Sequence, residues 1–288
     1  MKVAKIRYND KDAPAAFTKS LKETGFGVIV DHPIKSQLVE AVYEEWKVFF
    51  NSESKHQYLF DPINQDGYFP LGTENAKGYS AKDHKEFFHF YSWGKKPPDL
   101  SDNTKKLYDS LVEMTSLLLE WIEVNTPHDV QSNFSEPLKN MIKGSRTNLL
   151  RVIHYPPFLG DEDSKSLRAA AHEDINLITL LVAGTRPGLE AKDKNGNWHQ
   201  ITTNPGTIIV NIGDMLKEVS GGYYPSTTHR VVNPSSEINN DSRYSMPLFL
   251  HPRDEVKLSK NYTANTYLKE RLLAVSYTHL TLPTILLV

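Results

Sequence analysis

Short runs of strand-like sequence fill the second half of the chain and constrain its fold most strongly. From about residue 147 onward, apolar and β-branched residues come in brief runs that turn residues separate. The eight runs are NLLRVIHY, RAAAHED, LITLLVA, GLEAK, NWHQI, GTIIVNI, THRVV and SRYSMPLFLH. Asn195 and Gly196, between the fourth and fifth runs, predict a hairpin turn. So many short strands in sequence indicate a double-stranded β-helix, the jelly-roll barrel.

The first half of the chain has the periodicity of helices instead. Pro14 is typical of the first turn of a helix and Gly25 of its end. Apolar residues recur at helical spacing in residues 35–50 and 104–125, and a further short helix is predicted in residues 263–274. We therefore expect an α+β fold whose N-terminal and flanking helices pack outside the barrel.

The chain divides into three regions that we expect to act as one catalytic unit. These are a mainly helical region, 1–146, a barrel core, 147–252, and a C-terminal helical region, 253–275. The remaining residues, 276–288, are apolar, rich in β-branched side chains and interrupted by Pro283. Because such a segment neither extends a helix nor is typical of a polar tail, we predict that it is non-native and assign it no function.

Composition narrows the classes of function. Charged residues make up 24% of the chain and the net charge is −2, so electrostatics give no reason to expect nucleic acid or an anionic membrane. A small-molecule substrate is the expected partner, and no protein partner is evident. The chain has no cysteine, so a metal would have to be held by His, Asp or Glu. No apolar run approaches the roughly 20 residues that span a bilayer, which predicts a cytoplasmic protein.

A histidine and an aspartate stand two positions apart in the second strand-like run. Residues two apart on a strand point to the same face, so His172 and Asp174 project together while Glu173 points away. His229 lies in another run, which a barrel can bring opposite the first pair. Two histidines and one carboxylate form the facial triad of non-haem Fe(II) sites, with positions left open for dioxygen. His84 and Glu86 have the same spacing, but nothing around them supplies the rest of a site.

A second same-face pair follows His229. Arg243 and Ser245 would present a guanidinium fork and a hydroxyl on one side of a strand, which suits the carboxylate of a bound acid. Tyr155 could add a phenol hydrogen bond to that carboxylate. The pair predicts carboxylate binding without identifying the acid.

The order of these motifs resembles a known family. The H-x-D pair, a histidine 55 positions after Asp174 and then R-x-S, with GLEAKDKNGNWHQI and GTIIVNIGDML between them, resemble the isopenicillin N synthase-like branch of the iron(II)/2-oxoglutarate dioxygenases. The likeness runs from the segment TGFGVIVDHP to about residue 275. The sequence is most similar to bacterial members of unassigned substrate, which contain segments like AAHEDINLITLL and PSTTHRVVNP.

The resemblance implies a function and a set of roles. His172, Asp174 and His229 would hold Fe(II), Arg243 and Ser245 would bind the distal carboxylate of 2-oxoglutarate, and Tyr155 would assist. With dioxygen, the enzyme would decarboxylate 2-oxoglutarate oxidatively and hydroxylate, or otherwise oxidise, a small molecule. Two alternatives stay open. One is an oxidase of the same fold that needs no 2-oxoglutarate, because isopenicillin N synthase uses R-x-S for its peptide substrate. The other is a metal-holding barrel without turnover.

Candidate substrate residues come from strand alternation and from the resemblance. Arg168 and Ala170 would share the face of His172, with Ala170 leaving space near the metal and Arg168 receiving an anionic substrate at the mouth. Asn176 would share that face if the strand continues. Phe87 and His89 in KEFFHF, and Arg151 four positions before Tyr155, would approach the pocket. Core packing, a turn cap or a strand-edge salt bridge explains these residues at least as well.

Overall fold

The architecture is taken from a computed structural model of the chain. It describes residues 1–74, 82–160, 166–202, 204–234 and 240–276, with side chains up to residue 272. Beyond Ser276, the segment expected to be non-native lies outside the described residues.

Helices form where apolar residues recur at helical spacing. The longest are α1 (Ala13–Thr24), α2 (Ser36–Asn51) and α3 (Asn103–Val124). Gly25 ends α1 in the left-handed region, with φ 73°, and its N–H donates to the carbonyl of Leu21. The shorter helices are α4 (His128–Gln131), α5 (Leu138–Met141), α6 (Asp214–Val219) and α7 (Ala264–Ser276), and Glu53–Tyr58 is a 3₁₀ helix. Over the described ranges, no helix is long and apolar enough to cross a membrane.

Strands form in each of the eight short runs, and further strands come from the first half of the chain. The strands of the second half are β5 (Leu149–Tyr155), β6 (Ala169–His172), β7 (Ile178–Val182), β8 (Leu189–Lys192), β9 (Trp198–Gln200), β10 (Ile208–Ile212), β11 (His229–Val231) and β12 (Arg243–Leu250). The region expected to be mainly helical contributes β1 (Lys5–Arg7), β2 (Phe26–Val30), β3 (Gly67–Phe69) and β4 (Glu86–Phe90).

The described strands lie in two sheets. The larger has the order β1-β2-β10-β7-β12-β5-β4-β3, and the smaller has the order β6-β11-β8-β9. All strand pairs of the large sheet are antiparallel except β1 with β2. A sheet-rich α+β core is therefore present.

Alternation along β5 gives the large sheet two different faces. Leu150 and Val152 belong to the main apolar core, which also contains the buried residues of α1, α2 and α3. Ile153 and Tyr155 point the other way and pack with Ala169 of β6 and Val231 of β11. The helices thus cover one face of the large sheet, while the small sheet covers the inner face. Strands β6 and β11, which carry His172 and His229, therefore lie against that inner face.

Candidate metal centre and cosubstrate pocket

Two histidines face each other across the small sheet. Strands β6 and β11 are antiparallel, and His172 pairs directly with His229, with ring centroids 4.4 Å apart. Asp174 lies two residues beyond the end of β6, and its Oδ1 is 3.7 Å from Nε2 of each histidine. The three ligand atoms lie within 4.8 Å of one another, and no other group of three such residues forms within the described ranges. The structure thus brings together the three residues that the motif order singled out.

A bulge in β6 alters which residues flank these ligands. His229 pairs with His172 and Val231 pairs with Ala169, so two residues of β6, Ala170 and Ala171, lie opposite one residue of β11, Arg230. The extra residue moves Ala169 to the inner side, where it packs with Tyr155 and Val231. The expectation that Ala170 leaves space beside the metal rested on alternation, which does not hold through a bulge, and it stays a prediction.

Backbone carbonyls orient both histidine rings. Nδ1 of His172 donates to the carbonyl of Ala170 at 2.8 Å, and Nδ1 of His229 donates to that of Thr227 at 3.1 Å. Because a carbonyl oxygen only accepts, each Nδ1 carries a proton, and Nε2 is the ring atom left to bind a metal. Burial, and then the charge of His229, lower the pKa of His172 to about 4, so this ring is neutral at neutral pH. Both Nε2 atoms are therefore suited to bind a metal ion beside Asp174.

Two side chains hold the carboxylate of Asp174. Its Oδ2 accepts hydrogen bonds from Thr179 Oγ1 at 2.6 Å and from Asn211 Nδ2 at 2.7 Å, which leaves Oδ1 towards the histidines. Burial alone would raise the pKa of Asp174, but the two histidines and these hydrogen bonds outweigh it and hold the pKa below its usual value. The carboxylate is thus ionised and oriented as a metal ligand.

Asn176 supports this arrangement from behind. It is fully buried, and its Nδ2 donates to Thr179 Oγ1 at 2.9 Å and to the carbonyl of Ile178 at 3.2 Å. A Cβ at Gly213 would lie 2.2 Å from Asn176 Oδ1, so only glycine allows this close approach. Asn176 had been expected to contact substrate, whereas in this structure it contacts the residue that holds Asp174.

We expect Thr179→Val to weaken metal binding by about 10- to 100-fold, the usual effect of losing such an outer hydrogen bond. Valine keeps the shape of threonine but cannot donate to Asp174 Oδ2. Titration of Fe(II) against a competing chelator would measure the change. Thr228→Val is the matched control, because Thr228 bonds Glu173 on the surface at 2.9 Å. Equal metal affinities in the two variants would contradict the role given to Thr179.

An arginine and a tyrosine face each other across β5 and β12. Arg243 pairs directly with Tyr155, and its Cζ lies 5.0 Å from the centroid of the tyrosine ring. Ser245 is next on the same face and pairs with Ile153. Arg243 Nε donates to the carbonyl of Arg186 at 3.1 Å, while Nη1 is buried without an acceptor in the described part of the chain. An unpaired buried donor costs about 1–3 kcal/mol, so this end of the pocket fits an added anionic acceptor.

Comparison with known proteins places these features in a family. The model of the 2OG-Fe(II) oxygenase superfamily matches residues 146–252, and a model for the N-terminal region of non-haem dioxygenases in morphine synthesis matches residues 6–110. The crystal structure of a Caulobacter crescentus protein assigned to the 2OG-Fe(II) oxygenase family is similar to this one, with TM-score 0.77. The two sequences are 30% identical, and the match covers 94% of this chain and 98% of that one. The chain belongs to the 2OG-Fe(II) oxygenase superfamily.

Other relatives of this oxygenase agree with that assignment. The crystal structure of a Shewanella oneidensis protein assigned as an oxygenase is 48% identical, with TM-score 0.87, over 95% of this chain and 98% of that one. Flavonol synthase 1 from Crocosmia x crocosmiiflora is 28% identical, over 87% of this chain and 76% of that protein. The family predicted from the motif order is confirmed, and with it an enzyme that uses Fe(II) and 2-oxoglutarate.

A network of charged side chains lies near β6, the strand of the oxygenase that carries His172. Lys85 Nζ is 2.8 Å from both Asp83 Oδ2 and Glu74 Oε2, and Arg151 Nη1 is 3.1 Å from Glu74 Oε2. Arg151 Nε donates to His89 Nε2 at 2.9 Å. The network reaches β6 itself, since Asp83 Oδ1 accepts a hydrogen bond from the backbone N–H of Ala170 at 3.1 Å.

Three residues expected near the substrate meet in this network. Arg151 contacts His89, and its Cζ lies 4.5 Å from the centroid of the Phe87 ring. Lys85 and Glu74 were missed, although Lys85 was within reach of sequence reasoning because it stands two positions before Phe87, immediately before β4 begins. Glu74 carried no local signal, because it lies outside any strand.

The H-x-E pair, His84 and Glu86, belongs to no candidate metal site in the described part of the chain. Glu86 points to the helix-covered face, where its oxygens bond His154 Nδ1 at 2.7 Å and Lys55 Nζ at 3.0 Å and also accept from Tyr68. His84 Nε2 instead lies 3.3 Å from the carbonyl of Pro157. Glu86 is thus already occupied by protein partners.

The buried His89 should make stability depend on pH. Its Nδ1 donates to the carbonyl of Gln65 at 2.8 Å and its Nε2 accepts from Arg151, so the folded protein needs the neutral ring. Burial, and then the charge of Arg151, lower the pKa of His89 to about 3. As pH falls from about 6.5 towards that value, only the unfolded chain takes up this proton. Because of this group, the free energy of unfolding therefore falls by about 1.4 kcal/mol for each pH unit.

We expect His89→Gln to remove this share of the pH dependence. Glutamine can also donate to Gln65 and accept from Arg151, but it does not titrate. Urea unfolding of the metal-free protein at several pH values between 6.5 and 4 would measure the slope. His128→Gln, at an exposed histidine, is the control. A slope in His89→Gln as steep as in the wild type would count against a neutral buried ring.

Proposed function

We propose that this protein couples oxidative decarboxylation of 2-oxoglutarate to hydroxylation, or a related oxidation, of a small molecule. One observation carries the proposal. A group of two histidines and one carboxylate lies against the same inner face as Arg243, a buried guanidinium whose Nη1 has no acceptor among the described residues. A metal that leaves open positions and a nearby cation for a carboxylate are the two requirements for binding a 2-oxo acid at iron.

His172, Asp174 and His229 would hold the iron. With 2-oxoglutarate bound, the iron supplies the activation of dioxygen and the oxidising chemistry. The donor set fits, because the Nδ1 atoms of both histidines bond backbone carbonyls, which leaves Nε2 of each ring for the metal, and Asp174 offers an ionised oxygen. Thr179 and Asn211 keep the carboxylate in place through their hydrogen bonds to its other oxygen.

Arg243, Ser245 and Tyr155 would bind the distal carboxylate of the 2-oxo acid. Arg243 is 1% exposed, so an ion pair formed there would be shielded from water and salt. Tyr155 packs in an apolar cluster with Phe69, Phe87 and Ile153, which excludes water on this side. These residues therefore position the acid and keep the oxidation away from bulk solvent.

The finer description of the fold belongs to the same proposal. We infer that the small and large sheets close into a double-stranded β-helix around the site, because β6 and β11 pack against the inner face of β5. The catalytic core would then span residues 147–252, between the helical regions 1–146 and 253–275. A small-molecule substrate and a cytoplasmic location stay predictions.

Anaerobic titration tests the proposal. The protein loaded with Fe(II) is mixed with 2-oxoglutarate, and the weak visible charge-transfer absorption of an iron-bound 2-oxo acid is recorded. Air is then admitted, and succinate is measured with and without a panel of amino acids and small peptides. We expect the absorption band and succinate release. Bound iron with neither would favour an oxidase that needs no 2-oxoglutarate, and absence of iron binding would refute the metal site.

A further inference from the structure

Two arginines are buried at the end of the pocket that we assign to the 2-oxo acid. Arg168 and Arg243 are each 1% exposed. Arg168 Nη2 donates to the carbonyl of Asp241 at 2.7 Å, two residues before Arg243 on the chain. Its neighbour Ala169 packs with Tyr155, the residue opposite Arg243. Arg168 had been expected to receive an anionic substrate at the mouth, whereas its burial and these contacts place it at the Arg243 end.

Each guanidinium retains an N–H group without an acceptor. Nε of Arg168 and Nη1 of Arg243 are buried and have no hydrogen-bond partner in the ranges that the structure describes. Buried donors are nearly always paired in native proteins, and exceptions call for a ligand or an ordered water. Two such donors at one end of a pocket indicate a ligand with more than one acceptor.

The two arginines also lack a salt-bridge partner among the described residues. The carboxylate of Asp241 pairs with Arg186, at 3.0 Å, and no carboxylate of the described residues forms a salt bridge with Arg168 or Arg243. Burial, and then the charge of Arg243, lower the pKa of Arg168 to about 10, so Arg168 remains cationic at neutral pH. Two buried cations near each other repel, and an anion bound to both would relieve that repulsion.

We propose that Arg168 joins Arg243 in binding the distal carboxylate of the 2-oxo acid, as a second guanidinium of the cosubstrate site. This inference rests on the proposed function. A carboxylate has two oxygens and about four lone-pair positions, enough to accept from both arginines together with Ser245 and Tyr155. The paired site makes the pocket selective for 2-oxo acids with a second carboxylate over those with one. It also removes Arg168 from the residues that would contact the substrate.

Calorimetric titration of the anaerobic Fe(II)-loaded protein separates this role from others. Each variant is titrated with 2-oxoglutarate and with 2-oxobutanoate, which has the same keto acid group but no distal carboxylate. We expect Arg168→Gln to weaken binding of 2-oxoglutarate by about tenfold or more, because a hydrogen bond to a charged group is lost. Binding of 2-oxobutanoate should not change. Arg186→Gln is the matched control, because its side chain is 48% exposed and pairs with the same Asp241.

The outcomes distinguish the inference from the function on which it rests. If the wild type fails to bind 2-oxoglutarate, the proposed function itself fails. If the wild type binds it and Arg168→Gln binds it equally well, Arg168 is not a cosubstrate residue. Equal weakening for both acids would show a general disturbance of the pocket and would also overturn the inference. Arg168→Lys keeps the charge without the fork, and should weaken only 2-oxoglutarate binding even if Arg168→Gln does not fold.

Discussion

Replacing Asp174 by alanine should abolish turnover and weaken Fe(II) binding by more than about 100-fold, beyond the usual effect of outer hydrogen-bonding partners. Asp174 is the carboxylate of the ligand group, and its Oδ1 lies 3.7 Å from Nε2 of both histidines. Without it, two neutral imidazoles remain, with no anionic ligand to balance the charge of the metal. Thr179 and Asn211 would also lose the acceptor they now share.

Asp174→Asn refines the same experiment, because it keeps the size of the side chain while removing the negative charge. Iron content after anaerobic loading and succinate release would be measured for both variants. Glu173→Gln is the control, since Glu173 is adjacent in sequence and bonds Thr228 at 2.9 Å. We expect that control to resemble the wild type in both measurements. Iron affinity near the wild-type value in Asp174→Ala would mean that the metal lies elsewhere.

Much of the secondary structure follows from local sequence pattern. The eight short runs became β5 to β12, and the two segments of helical periodicity became α2 and α3. Local pattern succeeds there because alternation and helical spacing reflect which face is buried. It could not predict that β4 would pair with β5, since β4 lies in the largely helical half and pairing joins residues about sixty positions apart.

In the candidate site too, local pattern predicts some features, and others depend on how the strands pair. The sequence placed His172 and Asp174 together because two-residue spacing on a strand has a geometric meaning. The pairing of His172 with His229 depends on the register of β6 and β11, and that register contains a bulge. No local pattern in RAAAHED predicts the extra residue, so alternation alone could not assign the faces of the side chains before His172.

Electrostatic partners were the least predictable feature. Lys85 and Arg151 share Glu74, but the three residues come from separate segments. Burial of Arg168 was equally hidden, because an arginine beside a strand is more often exposed than buried. Charges whose partners are distant in sequence become visible only when the fold brings them together, which is why the further inference depends on the structure.

Arg243→Gln should raise the dissociation constant of 2-oxoglutarate by about 30-fold or more. Removing one partner of a buried, hydrogen-bonded charge pair costs about 2–5 kcal/mol, and about 1.4 kcal/mol corresponds to a factor of ten. Arg243 is 1% exposed, so water would not compensate for the lost pair. Iron affinity should not change, because Arg243 bonds the carbonyl of Arg186 and forms no hydrogen bond with a candidate ligand among the described residues. The loss should thus appear in one binding step only.

Titration of the Fe(II)-loaded protein with 2-oxoglutarate, beside a chelator titration of iron, checks both halves of this expectation. Arg186→Gln again provides the control, because it removes a guanidinium that is exposed. A change in iron affinity would indicate that Arg243 stabilises the fold of the metal site. Unchanged 2-oxoglutarate binding in Arg243→Gln would be more informative. It would assign the carboxylate that Arg243 binds to the substrate, as in an oxidase of the same fold, since a buried cation with an unpaired donor still requires an anion.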